Sequence, residues 1–170
     1  MLRKFGIIAV LSLFVTAIAA IPALAVAPTT VTQTGGLHVC EGSALAVTPT
    51  KTDTTAFLTA TGEVCGAGTT ATATLSANAT VVTGCVNPGS KNQQPKGLER
   101  TTTTTAGTQT FNTRSGRGTV NVRTTGITLP GRTCPPPDEP VVVSVTFTDV
   151  TLTITSQTGT ITATFPDLDP

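Results

Sequence analysis

Apolar and polar residues alternate without a break from Ala71 to Val81, with Ala71, Ala73, Leu75, Ala77, Ala79 and Val81 on one side and Thr72, Thr74, Ser76, Asn78 and Thr80 on the other. A period of two sends successive side chains to opposite faces of a strand, so this segment has one buried and one wet face. Ala56, Leu58, Ala60, Gly62 and Val64 carry the same phase just upstream, and Cys65-Gly66-Ala67-Gly68 reads as a hairpin connection. The spacing predicts two strands paired antiparallel. In the C-terminal third Val143, Val145 and Phe147 share a face, after which the apolar phase slips to Val150, Leu152 and Ile154. A slip of one residue requires a bulge, placed near Thr148-Asp149. Ser156-Gln157-Thr158-Gly159 is a turn, and Ile161, Ala163 and Phe165 form a closing strand. A weaker β signal covers 108–111 and 119–129.

Two stretches break the pattern. Residues 87–105 open with Asn87-Pro88-Gly89, continue through Asn, Gln, Pro and Gly, and end in the run Thr101 to Thr105, which predicts an irregular loop. Residues 133–140 contain Cys134-Pro135-Pro136-Pro137, which predicts extended polyproline tethered by its cysteine. Several strands, Gly-rich turns and no helical period define the expected fold: all-β, an antiparallel β-sandwich of Greek-key or immunoglobulin-like type.

Composition strengthens the β reading. Of the 170 residues, 40 are threonine, and Thr, like Val, suits the pleated, half-buried surface of a strand. The first residues supply an address: Arg3 and Lys4, an apolar run from Phe5 to Ala20, then Pro22 and the small-residue triplet Ala23-Leu24-Ala25. This is the layout of a cleaved signal peptide over 1–25, leaving 26–170 as a single secreted domain. No second apolar run of membrane length follows, so no transmembrane anchor is expected in the mature form. A lipoprotein anchor needs a cysteine at the cleavage point, whereas the first is Cys40. Leu129-Pro130-Gly131-Arg132-Thr133 departs from a sortase signal at its fourth residue.

All four cysteines, Cys40, Cys65, Cys85 and Cys134, lie in the exported part, and an even number in an oxidising compartment predicts two disulfides. Three pairings are open; Cys40 with Cys65 and Cys85 with Cys134 is preferred, because it staples the weak N-terminal segment and closes the loop-rich middle.

Cys85-x-Asn87-Pro88-Gly89, the following Gln94-Pro95-x-Gly97, the distal Cys134-Pro135 and the strand Val145-x-Phe147-Thr148-Asp149-Val150 resemble secreted, β-rich actinobacterial proteins of uncharacterised function. That resemblance implies a fold and a compartment and transfers no catalytic residue. Ser90 stands where the family pattern carries a second glycine.

Catalytic chemistry finds little support. His38 is the single histidine, and a triad with Ser43 would lack the Gly-x-Ser-x-Gly elbow. Its neighbour Cys40 belongs to no Cys-x-x-Cys, so no metal site and no cofactor is expected. The carboxylates Glu41, Asp53, Glu63, Glu99, Asp138, Glu139, Asp149, Asp167 and Asp169 are the few candidates for paired glycosidic chemistry, and carbohydrate binding or cleavage is disfavoured because there is no Trp or Tyr to stack on a sugar. Asp167 and Asp169, or Asp138 and Glu139, are weak Ca²⁺ ligands. Asn78-Ala79-Thr80 is a glycosylation sequon, and Thr101 to Thr105 could take O-linked sugar. An enzyme is therefore not expected.

Charge is the remaining feature. Lys91, Lys96, Arg100, Arg114, Arg117, Arg123 and Arg132 face Glu99 alone, a local balance of +6, while 133–170 carries −5. The expected function is a non-enzymatic structural or interaction module outside the cell, its partner undetermined. The alternatives are an electrostatic binder of anionic envelope polymers through Arg114, Arg117, Arg123, Lys91 and Lys96, or a partner of another secreted protein. A small-molecule carrier or protease inhibitor is a further reading, since the composition resembles the neocarzinostatin type although the cysteine spacing differs. Nucleic acid is not an expected partner, because no aromatics interleave the basic residues.

Overall fold

A computed structural model describes residues 24–52, 54–90, 94–129, 131 and 133–170. Apart from Leu24 and Ala25, the expected signal segment lies outside the described residues, as do Asp53, Lys91 and Arg132. The strands in chain order are β1 (Thr30–Gly35), β2 (His38–Val39), β3 (Ala46–Lys51), β4 (Thr55–Cys65), β5 (Thr70–Val86), β6 (Lys96–Asn112), β7 (Gly118–Arg123), β8 (Ile127–Thr128), β9 (Glu139–Ser156) and β10 (Gly159–Thr164). One antiparallel sheet has the order β1-β10-β9-β5-β6. The other is centred on β4, with β2 and β3 along one edge and β7 and β8 along the opposite edge.

The core lies between the sheets and follows the alternation in the sequence. Ala71, Ala73, Leu75, Ala79, Leu152, Ile154 and Ile161 from the five-stranded sheet meet Val47, Leu58, Ala60, Val64, Val120 and Val122 from the other, all buried. The expected all-β sandwich is therefore present. The predicted bulge is also there: Ser76 pairs with Thr151 and Asn78 with Thr148, and Asp149 takes φ of 53°. The Ser156–Gly159 turn joins β9 to β10 in register.

Three expectations need correction. The segments read as one hairpin, β4 and β5, lie in different sheets. Alternation fixes which face of a strand is buried and leaves open whether its neighbour sits beside it or across the core. Here Gly66, with φ of 75°, helps turn the chain across, and the two strands present their alanines and leucines to the same interior. Second, the irregular stretch from Asn87 gives way to strand at Lys96, and the threonine run lies inside β6, paired residue by residue with β5 from Thr80↔Thr102 to Ala77↔Thr105. The signal was hidden because residues 96–104 are exposed on both faces and so show no apolar period. Third, the proline segment turns instead of running extended, with the Asp138 N–H donating to the Pro135 carbonyl at 2.9 Å.

The side of the sandwich where β6 meets β7 is closed by direct bonds. The Thr125 N–H donates to the Ala106 carbonyl at 2.9 Å, and the Thr105 hydroxyl to the Thr125 carbonyl at 2.6 Å. Between β7 and β8 the ladder on β4 would lapse, and buried Thr124 bridges it: its hydroxyl accepts the Leu58 N–H at 3.0 Å, and its own N–H reaches the Leu58 carbonyl at 3.0 Å. Thr124→Val keeps the shape and removes the acceptor, stranding a buried N–H at a cost of about 1–3 kcal/mol. In urea unfolding the midpoint should fall with an unchanged slope, while Thr124→Ser stays near wild type; equal midpoints for both variants would refute the role of the hydroxyl.

Candidate functional site

The disulfides pair as preferred. Cys40–Cys65 spans 5.0 Å between Cα atoms and links the end of β2 to that of β4; Cys85–Cys134 spans 5.9 Å and ties the end of β5 to the segment before β9. Such bridges persist in oxidising compartments.

The basic residues among the described ones do not gather into one patch. Arg114 and Arg117 flank the tight turn at Ser115-Gly116, their main chains bonded to each other at 2.9 Å, with φ positive at both turn residues. The Arg117 guanidinium lies 3.1 Å from the Glu63 carboxylate, a pair exposed enough to contribute little. Arg123, at the far end of β7 and about 20 Å along the strand from Arg117 at the usual rise, has its guanidinium 3.3 Å from the centre of the Phe57 ring. That stacking occupies one face of the cation. Lys96 is exposed at the start of β6, in the other sheet, and Lys91 lies outside the described residues.

Two of the open clefts among the described residues bear on the site. One, of about 410 Å³, is lined by Glu63, Asn112, Arg114, Arg117, Gly118 and Thr119. The other, of about 500 Å³, has Lys51, Thr52, Thr54, Leu129 and Val142 among its walls. Neither holds a nucleophile beside a base. His38 is exposed, its Nδ1 2.9 Å from the Gly36 carbonyl oxygen, and no bond joins it to Ser43 among the described residues. No group of three or more His, Cys, Asp or Glu among those residues is placed to hold a metal ion. Asn78, the sequon residue, is engaged on the sheet surface: its Nδ2 donates to the Asp149 carboxylate and its Oδ1 accepts from the Thr104 hydroxyl, each at 3.0 Å.

The most regular surface belongs to residues that sequence reasoning treated as scaffold. On the outer face of the five-stranded sheet, the registers align Thr34, Thr160, Thr155, Thr72 and Thr110 in one row across all five strands. The adjacent row is Thr32, Thr162, Thr153, Thr74 and Thr108. The next contains Thr30, Thr164, Thr151 and Ser76 and ends on Ala106. Beyond them Thr148, Asn78 and Thr104 form a shorter row, then Thr146, Thr80 and Thr102. The three five-strand rows contain no charged residue. Across β5 and β6 the hydroxyls contact one another, at 3.2 Å for Thr72 with Thr110 and 3.4 Å for Thr74 with Thr108. Across β9 and β10 the hydroxyls of Thr153, Thr155 and Thr162 have no protein partner among the described residues. The signal in the sequence is Thr-x-Thr, recurring in separate segments at 30–34, 72–74, 108–110, 151–155 and 160–164. Its meaning depends on register, which brings the segments into line.

No protein family model, curated protein or solved structure matches this chain.

Proposed function

We propose that this chain is an exported, non-enzymatic module that adsorbs to an extended, repetitive surface outside the cell through the outer face of its five-stranded sheet. The observation carrying this reading is the pair of adjacent rows of five threonines each, uncharged across the whole width of the sheet. Solvated sheet faces ordinarily mix Lys, Glu and Thr, because charge keeps them from associating. A face of this breadth without charge presents methyl and hydroxyl groups in a repeat that suits a repetitive partner better than a single small ligand. Export is supported by the Arg3-Lys4 and Ala23-Leu24-Ala25 signal layout and by the two disulfides.

A second reading keeps the basic turn as a contact for anionic polymers. It is favoured by Arg114, which lines the smaller cleft beside Arg117 and has no ion pair among the described residues. Co-sedimentation of the purified protein with insoluble envelope material of its producer, at low and high salt, separates the two. The sheet reading expects binding that resists salt, disappears in Thr74→Lys/Thr153→Lys, and survives Arg114→Glu/Arg117→Glu/Arg123→Glu. Loss with salt and in the arginine variant, with the lysine variant unaffected, would move the function to the basic turn.

A further inference from the structure

We propose that the surface recognised by this face is crystalline water, and that the protein binds ice. The inference rests on the threonine face being the contact surface, and it assigns that face a partner.

Four features of the face carry it. Neighbouring strands lie about 4.7–4.9 Å apart, and side chains on one face recur every second residue, about 6.6–6.8 Å along the strand. The rows Thr34 to Thr110 and Thr32 to Thr108 therefore form a two-dimensional lattice whose perpendicular repeats lie close to the oxygen repeats of the prism face of hexagonal ice. Each lattice point bears a hydroxyl that both donates and accepts, as a water of ice does, beside a methyl group that favours ordered water around it. Threonine is also stiff at χ1, so little rotamer freedom is lost when water orders against it. Finally, the hydroxyls of Thr153 and Thr155, on the central strand β9, and of Thr162, on the adjacent β10, have no protein partner among the described residues.

Other partners fit the same face less well. A protein interface is anchored by aromatic residues, Met and Arg, and threonine is under-represented among its hot spots. A polyanion needs cations, and the three five-strand rows have none. Charges would also hold hydration shells of their own and interrupt a continuous ice-like layer. Sheet twist, about 20–25° between neighbouring strands, degrades the match with distance from the centre. Thr74 and Thr153, paired on adjacent strands, should therefore matter more than Thr32 or Thr108 at the edges of the same row.

The test is ice-affinity partitioning of the purified, disulfide-bonded protein into a slowly growing ice body, together with thermal hysteresis and inhibition of ice recrystallisation. The wild type is expected to enter the ice, to depress the freezing point below the melting point and to keep crystals small. Thr74→Lys/Thr153→Lys should be excluded like an ordinary soluble protein while unfolding at the wild-type denaturant midpoint, and Asn121→Lys, exposed on β7 in the opposite sheet, should keep the wild-type activity. Should the lysine pair destabilise the fold, Thr74→Val/Thr153→Val, which keeps the shape and loses the hydroxyls, should still show reduced hysteresis. Exclusion of the wild type from ice overturns the inference, as does entry undiminished in both paired variants. If the wild type is excluded from ice but the lysine pair abolishes envelope adsorption, or converts a dimer to a monomer in sedimentation, ice binding falls and the face remains a contact surface. If the lysine pair changes none of these, the reading of the face falls with it.

Discussion

Reduction of both disulfides is expected to unfold the protein at physiological temperature. The core is shallow: Ala56, Ala60, Ala71, Ala73, Ala77, Ala79 and Ala163 are buried where larger side chains would contribute more. Each methylene of buried area is worth about 0.8 kcal/mol, so an alanine-lined interior supports less stability than a leucine-lined one of equal extent. Each bridge contributes about 3–4 kcal/mol on the chain-entropy model, and the pair together is comparable to the whole stability of an ordinary domain, about 5–15 kcal/mol. The closed loops span 25 and 49 residues, a difference worth about 0.6 kcal/mol on the same model. Loop length therefore ranks the bridges as near equals, and removal of either should lower the unfolding free energy by a similar amount. Circular dichroism against denaturant, with and without reductant, reads the total; Cys40→Ala/Cys65→Ala and Cys85→Ala/Cys134→Ala read the parts. A midpoint unmoved by reductant would show that the sheets alone hold the fold.

Class and core were legible in the sequence because strand burial writes itself as a period of two. Ala71 to Val81 and Ala56 to Val64 each gave the right face, and the phase slip before Val150 gave the bulge at Asp149. What the pattern could not carry was lateral placement. Identical phase in β4 and β5 is satisfied by pairing or by facing, and the chain faces them. Strands without a buried face left no trace: β1 is exposed throughout, and so is the first half of β6. Pro49 within β3 obscured another strand, although proline is tolerated there because β3 forms part of an edge of its sheet.

The candidate site was legible in a different way. Arginine spacing pointed to one cluster, of which the fold keeps Arg114 and Arg117 at one turn and sets Arg123 apart at the far end of β7, with Arg117 and Arg123 engaged by Glu63 and Phe57. Thr-x-Thr was visible in five places, and its significance arises when Thr72 meets Thr155 on one side and Thr110 on the other. Local sequence sets which residues point outward. Register, fixed by the buried residues on the other side of each strand, sets whether they form rows.

Substitution of Gly107 is expected to open the seam between β6 and β7 and to cost more than about 4 kcal/mol, in the range where a named steric mechanism is required. A Cβ at this position would lie 1.8 Å from the Arg123 carbonyl oxygen, 2.6 Å from its carbon and 2.9 Å from the Thr124 Cα. Each of these is backbone, so no rotamer change relieves the clash and one strand must move by more than an ångström. Such a shift breaks the bonds from Thr125 to Ala106 and from Thr105 to Thr125, together with the 2.8 Å bond from the Asn121 N–H to Gln109 Oε1. Gly107→Ala is already sufficient, and Gly107→Val should leave little folded protein. Gly126→Ala, in the connection between β7 and β8, is the control: its Cβ would meet Thr55 at an ordinary 3.8 Å, so its unfolding midpoint should stay near wild type or rise slightly. Equal midpoints for Gly107→Ala and Gly126→Ala would mean that the seam yields freely. Because Thr108 and Thr110 immediately follow Gly107 on β6, a seam that yields would also leave the outer end of both threonine rows without a fixed position.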